Sequence, residues 1–103
     1  MTITTVWGYV SADGTVTSGT GFGVYHDADN SPGVYYIHFD QAFSDMPAVS
    51  ITLSNLKYDP GRWGGVAFIT KLTSSECEVV TTQDDFKTKQ DSDFTVLAVG
   101  IVD

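Results

Sequence analysis

Residues 33–53, GVYYIHFDQAFSDMPAVSITL, decide the fold. Tyr35, Ile37 and Phe39 fall on one side of an extended chain, and Tyr36, His38 and Asp40 on the other. After a short acidic turn, Val49, Ile51 and Leu53 alternate with Ala48, Ser50, Thr52 and Ser54. Strict alternation with a period of two marks a strand with one face on a core and one toward water. The stretch therefore predicts a pair of strands, with Phe43 dropping into the core between them. Pro47 falls at the start of the second strand, where a missing N–H costs least.

Working outward, the same pattern recurs. Residues 4–10, TTVWGYV, are β-branched and aromatic and predict a strand. The Asp13–Gly14 pair suits a tight hairpin turn, and residues 16–18 a short return. Gly19, Gly21 and Gly23 punctuate the following stretch, with Phe22 and Val24 on its other face. Glycines in strands mark bulges or a close approach of backbone. The run GTGFG lacks the spacing of a dinucleotide-binding loop, and no helical pattern follows it. Residues 57–65, KYDPGRWGG, are dense in turn formers. Residues 65–72 predict a strand with Val66, Phe68 and Leu72 on one face. Residues 76–82 run back, and residues 83–92 form a polar connection. No segment carries an apolar stripe of helical period. Six to eight short strands in a chain of 103 residues predict a single all-β domain, an antiparallel β-sandwich.

Residues 93–102, DFTVLAVGIV, differ from the other strands. Phe94, Val96, Ala98, Gly100 and Val102 share one face, while Leu97, Val99 and Ile101 share the opposite one. A strand apolar on both faces lies at the centre of a covered sheet or at a subunit interface. A chain this short has no helix to cover the second face, so a homo-oligomer is expected.

Thirteen acids against five bases give a net charge of -8. That balance excludes the basic footprint of nucleic-acid binding and opposes anionic membranes. No window is long and apolar enough for a bilayer-spanning helix, and the N-terminus lacks a basic-then-apolar leader. A soluble chain is expected, cytoplasmic or released without a cleaved signal. Cys77 is the single cysteine, and its alternation with Glu76 and Glu78 places it on an apolar face as a buried thiol.

Chemistry-bearing residues are few. His26 and His38 are the two histidines, and His38 falls on the outward face of its strand. No nucleophile–base–orienter set can be assembled, so no catalytic residue and no enzymatic activity are expected. Asp27, Asp29 and Ser31 have the alternate spacing of a calcium loop, but the glycine falls late at Gly33 and His38 stands where a bidentate Glu belongs. An Asx-rich turn is the expectation there, with neither metal nor cofactor. Tyr58, Asp59, Arg62 and Trp63 lie together among glycines that leave little bulk to bury the indole. A ring face for stacking beside charged donors and acceptors is the chemistry of sugar recognition, with Asp84 or Asp85 joining from the neighbouring connection. The alternative places Trp63 between subunits.

The order GVYYIHFDQAFSDMPAVSITLSNL, VAFITKL, FTVLAVGIV resembles H-type lectins, across residues 33–103. The resemblance implies a six-stranded antiparallel sandwich that trimerises and binds galactose-type sugars. The glycine-rich N-terminal third is similar to trimeric domains at phage tail-fibre tips and in C1q-like proteins, which assemble and present a surface. The functional expectation is an oligomeric, trimer-first carbohydrate-binding module recognising surface glycans. The alternative is a structural or receptor-binding tip domain without sugar binding.

Overall fold

The computed structural model describes residues 1–54 and 65–103, and everything below concerns those residues. They form eight strands and no helix: β1 (Thr2–Val10), β2 (Val16–Thr20), β3 (Phe22–Tyr25), β4 (Val34–Phe39), β5 (Ala48–Leu53), β6 (Val66–Leu72), β7 (Glu76–Thr82) and β8 (Phe94–Val102). Two four-stranded sheets pack face to face, the first in the order β2-β1-β8-β5 and the second β3-β4-β7-β6. Every pairing is antiparallel. The expected antiparallel sandwich is the observed architecture.

Alternation places the core as expected. Tyr35, Ile37 and Phe39 of β4 are buried with Phe94, Val96 and Ala98 of β8, and Phe43 joins them. Phe39 and Phe43 meet edge to face at 5.2 Å between ring centroids, a favoured aromatic arrangement. Two glycines on the inner face of the first sheet seat rings from across the core. A methyl group on Gly8 would lie 2.5 Å from the Phe22 ring, and one on Gly100 would lie 2.5 Å from the Phe43 ring.

Two expectations need correction. The strands of residues 33–53 do not pair with each other: β4 bonds to β3 and β7, whereas β5 bonds to β8 in the opposite sheet. Residues 40–47 cross between sheets, tied to one by Phe43 N–H donating to Ser74 O (2.9 Å) and to the other by Ser44 N–H donating to Ile101 O (2.8 Å). Alternation fixes which face of a strand is buried but not which strand lies beside it. The second correction is in β6, where the register shifts between Ile69 and Lys71. Thr70 is the extra residue of a bulge, and its hydroxyl donates to Glu78 Oε1 at 2.9 Å. Ile69 and Leu72 therefore sit opposite the buried Val79 and Cys77, while Val66, Phe68 and Lys71 take the outward face. One inserted residue reverses the alternation beyond it.

Candidate functional site

The chain offers two outward sheet faces of different chemistry. Cross-strand register puts Thr20, Trp7, Leu97 and Ser50 in one row of the first sheet. Neighbouring rows hold Thr5, Val99 and Ala48, then Ile3 and Ile101. Ser18, Tyr9, Thr95 and Thr52 complete the face. None of these strand positions carries a charged side chain, in a chain with thirteen acids and five bases. Asp93 stands at the rim, where its Oδ2 accepts the Tyr9 hydroxyl at 2.9 Å. Trp7 is 50% exposed and Leu97 46%, so nothing among the described residues covers the outward side of β8. Leu97 stands as a ridge between two shallow hollows. One of about 350 Å³ lies against Trp7, Tyr9, Ser18 and Thr95, and one of about 210 Å³ against Ala48, Ser50 and Val99.

The outward face of the second sheet mixes rings and charges. Tyr25 and Tyr36 are cross-strand partners with ring centroids 6.2 Å apart, and Glu78 and Lys71 continue their row. His38 lies exposed one row away, its ring covering Gly23, with Glu76 as its neighbour. Phe68 meets Phe86 at 6.2 Å between centroids. Phe86 is 64% exposed and, at φ 65°, the sole non-glycine described with positive φ. The left-handed region is uncommon for a bulky L-residue and marks a backbone held by its surroundings. The holding groups are visible: the Asp85 Oδ1 accepts the backbone N–H groups of Lys87 (2.9 Å) and Thr88 (2.8 Å), and its Oδ2 accepts the Thr88 hydroxyl.

Of the residues expected to bind sugar, Tyr58, Asp59, Arg62 and Trp63 lie outside the described residues. Asp84 and Asp85 are on the exposed turn beside Phe86. Asp85 spends both carboxylate oxygens on its own turn, and those hydrogen bonds hold its carboxyl below the ordinary range. Asp27 does likewise in the 27–33 loop, where Oδ1 accepts from Asp29 N and Asn30 N, both at 3.2 Å. Its carboxyl is also held low, chiefly by Asn30. The loop is thus folded as an Asx turn. Among the described residues no three His, Cys, Asp or Glu side chains converge as a metal cage. Cys77 is 1% exposed, and burial pushes its thiol up to about 11, which leaves it protonated and unreactive at neutral pH.

The sequence reading missed the aromatic pairs. Tyr25–Tyr36 could have been found only from the β3–β4 register, and Phe68–Phe86 required the β6 bulge. No protein-family model matches the chain, and no curated protein or solved structure is significantly similar to it. Fold and surface thus define a class alone: a two-sheet antiparallel β-sandwich with one uncharged outward face and one decorated with rings and charges.

Proposed function

We propose that the chain works as a homo-oligomeric recognition module. It assembles through the outward face of the first sheet and displays the second sheet. The observation that carries this reading is the uncharged, Trp7- and Leu97-bearing face on a strongly acidic chain. Two copies meeting elsewhere would oppose like charges, whereas here they bury apolar surface without desolvating an ion. The two nine-residue strands β1 and β8, flanked by the shorter β2 and β5, give a footprint of about 450 Å² at about 3.3 Å per residue and 4.8 Å between strands. Protruding side chains raise the accessible area above that, toward the roughly 600–800 Å² per partner of specific interfaces. The Leu97 ridge between hollows supplies the knob and the seat that such a contact needs. The resemblance to trimerising sandwich domains favours three copies.

Sedimentation tests the assembly. The wild-type chain at tens of micromolar should run as an oligomer, and Leu97→Asp should shift it to monomer with its β-sheet circular dichroism intact. A wild-type monomer at that concentration overturns the reading. So does an oligomer indifferent to both Leu97→Asp and Val99→Lys.

A second reading gives the displayed face its ligand, carbohydrate. The exposed Tyr25–Tyr36 and Phe68–Phe86 pairs favour it, since they offer ring faces for sugar C–H groups beside Glu78, Lys71 and His38 for hydroxyls. The sequence-level candidates Tyr58, Asp59, Arg62 and Trp63 would extend that surface or act in its place. Glycan-array signal that disappears in Tyr36→Ala, Phe86→Ala or Trp63→Ala while the oligomer persists supports this reading. A wild-type protein silent across the array refutes it and leaves the assembly role standing.

A further inference from the structure

β1 is nine residues long, but β2 pairs with it only from Trp7 to Val10. At Gly21, φ 94°, the chain leaves the first sheet and enters β3 of the second. The edge of Thr2–Val6 away from β8 is therefore paired to no described strand. In an antiparallel ladder, alternate residues turn their N–H and C=O groups to opposite sides. Alternate residues of this stretch thus offer a donor and an acceptor, at ladder spacing, on the unpaired side. Proteins commonly blunt such edges with charge, proline or a bulge. β2 carries an extra residue at Thr17, and β6 has its bulge and Lys71. Residues 2–6, TITTV, carry no charge, no proline and no shift of register. Ile3 in their midst is 75% exposed.

A hollow of about 270 Å³ lies beside that edge. The buried side chains of Val6, Phe43 and Val102 line it, together with the exposed Asp40 and Gln41 from the segment that crosses between sheets. Small-molecule pockets span about 300–1,000 Å³, and this smaller hollow suits one long side chain. The Asp40 N–H is spent on Gly21 O at 2.9 Å. Its carboxylate accepts no hydrogen bond from the described residues, whereas Asp13, Asp27, Asp85, Asp91 and Asp93 each hold a backbone N–H. We propose that the edge of residues 2–6 binds an extended peptide segment of a partner protein by strand addition, and that the hollow takes a lysine or arginine of that segment. Such a side chain has an apolar stem and a cationic tip. The stem matches Val6, Phe43 and Val102, and the tip matches the carboxylate of Asp40 and the side-chain carbonyl of Gln41. In strand addition the backbone ladder supplies affinity and the side-chain socket supplies specificity. Thirteen acids against five bases add a long-range pull on a basic segment. The edge lies at the side of the first sheet, so the inference does not rest on assembly through Trp7 and Leu97.

A random heptapeptide library displayed on phage, selected on the full chain, tests the proposal. Enriched sequences should carry a lysine or arginine among β-branched residues. A selection that yields no binder, or binders without a basic residue, overturns it. The enriched peptide, made synthetically, should slow amide exchange within residues 2–6. Asp40→Asn keeps the N–H that Gly21 accepts and removes the charge, and it should weaken the peptide about 10–100-fold, the worth of a hydrogen bond to a charged group. Protection confined to other strands, or an affinity unchanged in Asp40→Asn, overturns the proposal. Protection of residues 2–6 that rises with chain concentration in the absence of peptide assigns the edge to a second copy and overturns it as well. Should Asp40→Asn fail to fold, the wild-type chain decides with the peptide's basic residue replaced by norleucine, which should weaken binding by the same factor.

Discussion

Tyr35 shows how much one side chain can join. Its ring is buried against Phe94 at 4.9 Å in an edge-on contact, and its hydroxyl leaves the core to donate to Ala12 O at 2.7 Å. The same oxygen accepts the Ser92 N–H at 3.2 Å. The core strand β4 is thereby fastened to the first hairpin turn and to the segment entering β8. Tyr35→Phe should keep the ring packing but strand two backbone groups, and should cost about 1–3 kcal/mol in denaturant unfolding. Cys77 makes a different prediction. With the thiol raised to about 11 by burial, alkylation at pH about 8 should track global unfolding and accelerate with denaturant in step with the loss of circular dichroism. Labelling at the rate of a free thiol would show that β7 opens locally. The burial of Cys77 could be read from its alternation with two glutamates, because a local pattern carries that information. The burial of His26 could not, because Asp91, which lies against its ring, comes from a distant part of the chain.

At the scale of elements, faces were legible and partners were not. The two-sided character of β8 was plain in FTVLAVGIV, and the structure places it between β1 and β5 with Leu97 and Val99 uncovered. The placement of β4 and β5 in opposite sheets was invisible, since alternation reads the same in either sheet. The β6 faces were misread for a local reason: a bulge at Thr70 leaves no mark in an otherwise regular run. The glycines of the first sheet permit a prediction here. Gly8 lies against the Phe22 ring, and added bulk must displace that ring or part the sheets. Gly8→Val should destabilise by about 1–3 kcal/mol, the range for overpacking a filled core. Thr5→Val, a substitution on the outward face of the same strand, should change monomer stability by less than about 0.5 kcal/mol. Equal effects of the two would mean that the β1 faces are assigned wrongly.

At the scale of the molecule, the proposed division of work between the two sheets makes assembly and recognition separable. If the first sheet buries its outward face between copies, every copy turns its second sheet away from the contact. The sites then sit on one particle, and binding to a surface bearing many ligands becomes intramolecular after the first contact. Avidity then exceeds single-site affinity by about 10²–10⁴ with no new contact made. Leu97→Asp lies on the first sheet and touches none of the rings on the second. Soluble monovalent saccharide titrated calorimetrically should therefore bind the Leu97→Asp monomer and the wild-type oligomer with the same Kd per site. Binding to a glycan-coated surface should instead weaken by about 10²–10⁴ in the monomer. Tyr36→Ala should reverse the pattern, abolishing monovalent binding while leaving sedimentation unchanged. If Leu97→Asp weakens monovalent and surface binding equally, the ligand site is shared between copies and the division between sheets fails. If Tyr36→Ala dissolves the oligomer, the second sheet is the assembly face, and the uncharged surface around Trp7 and Leu97 is left without the role assigned to it.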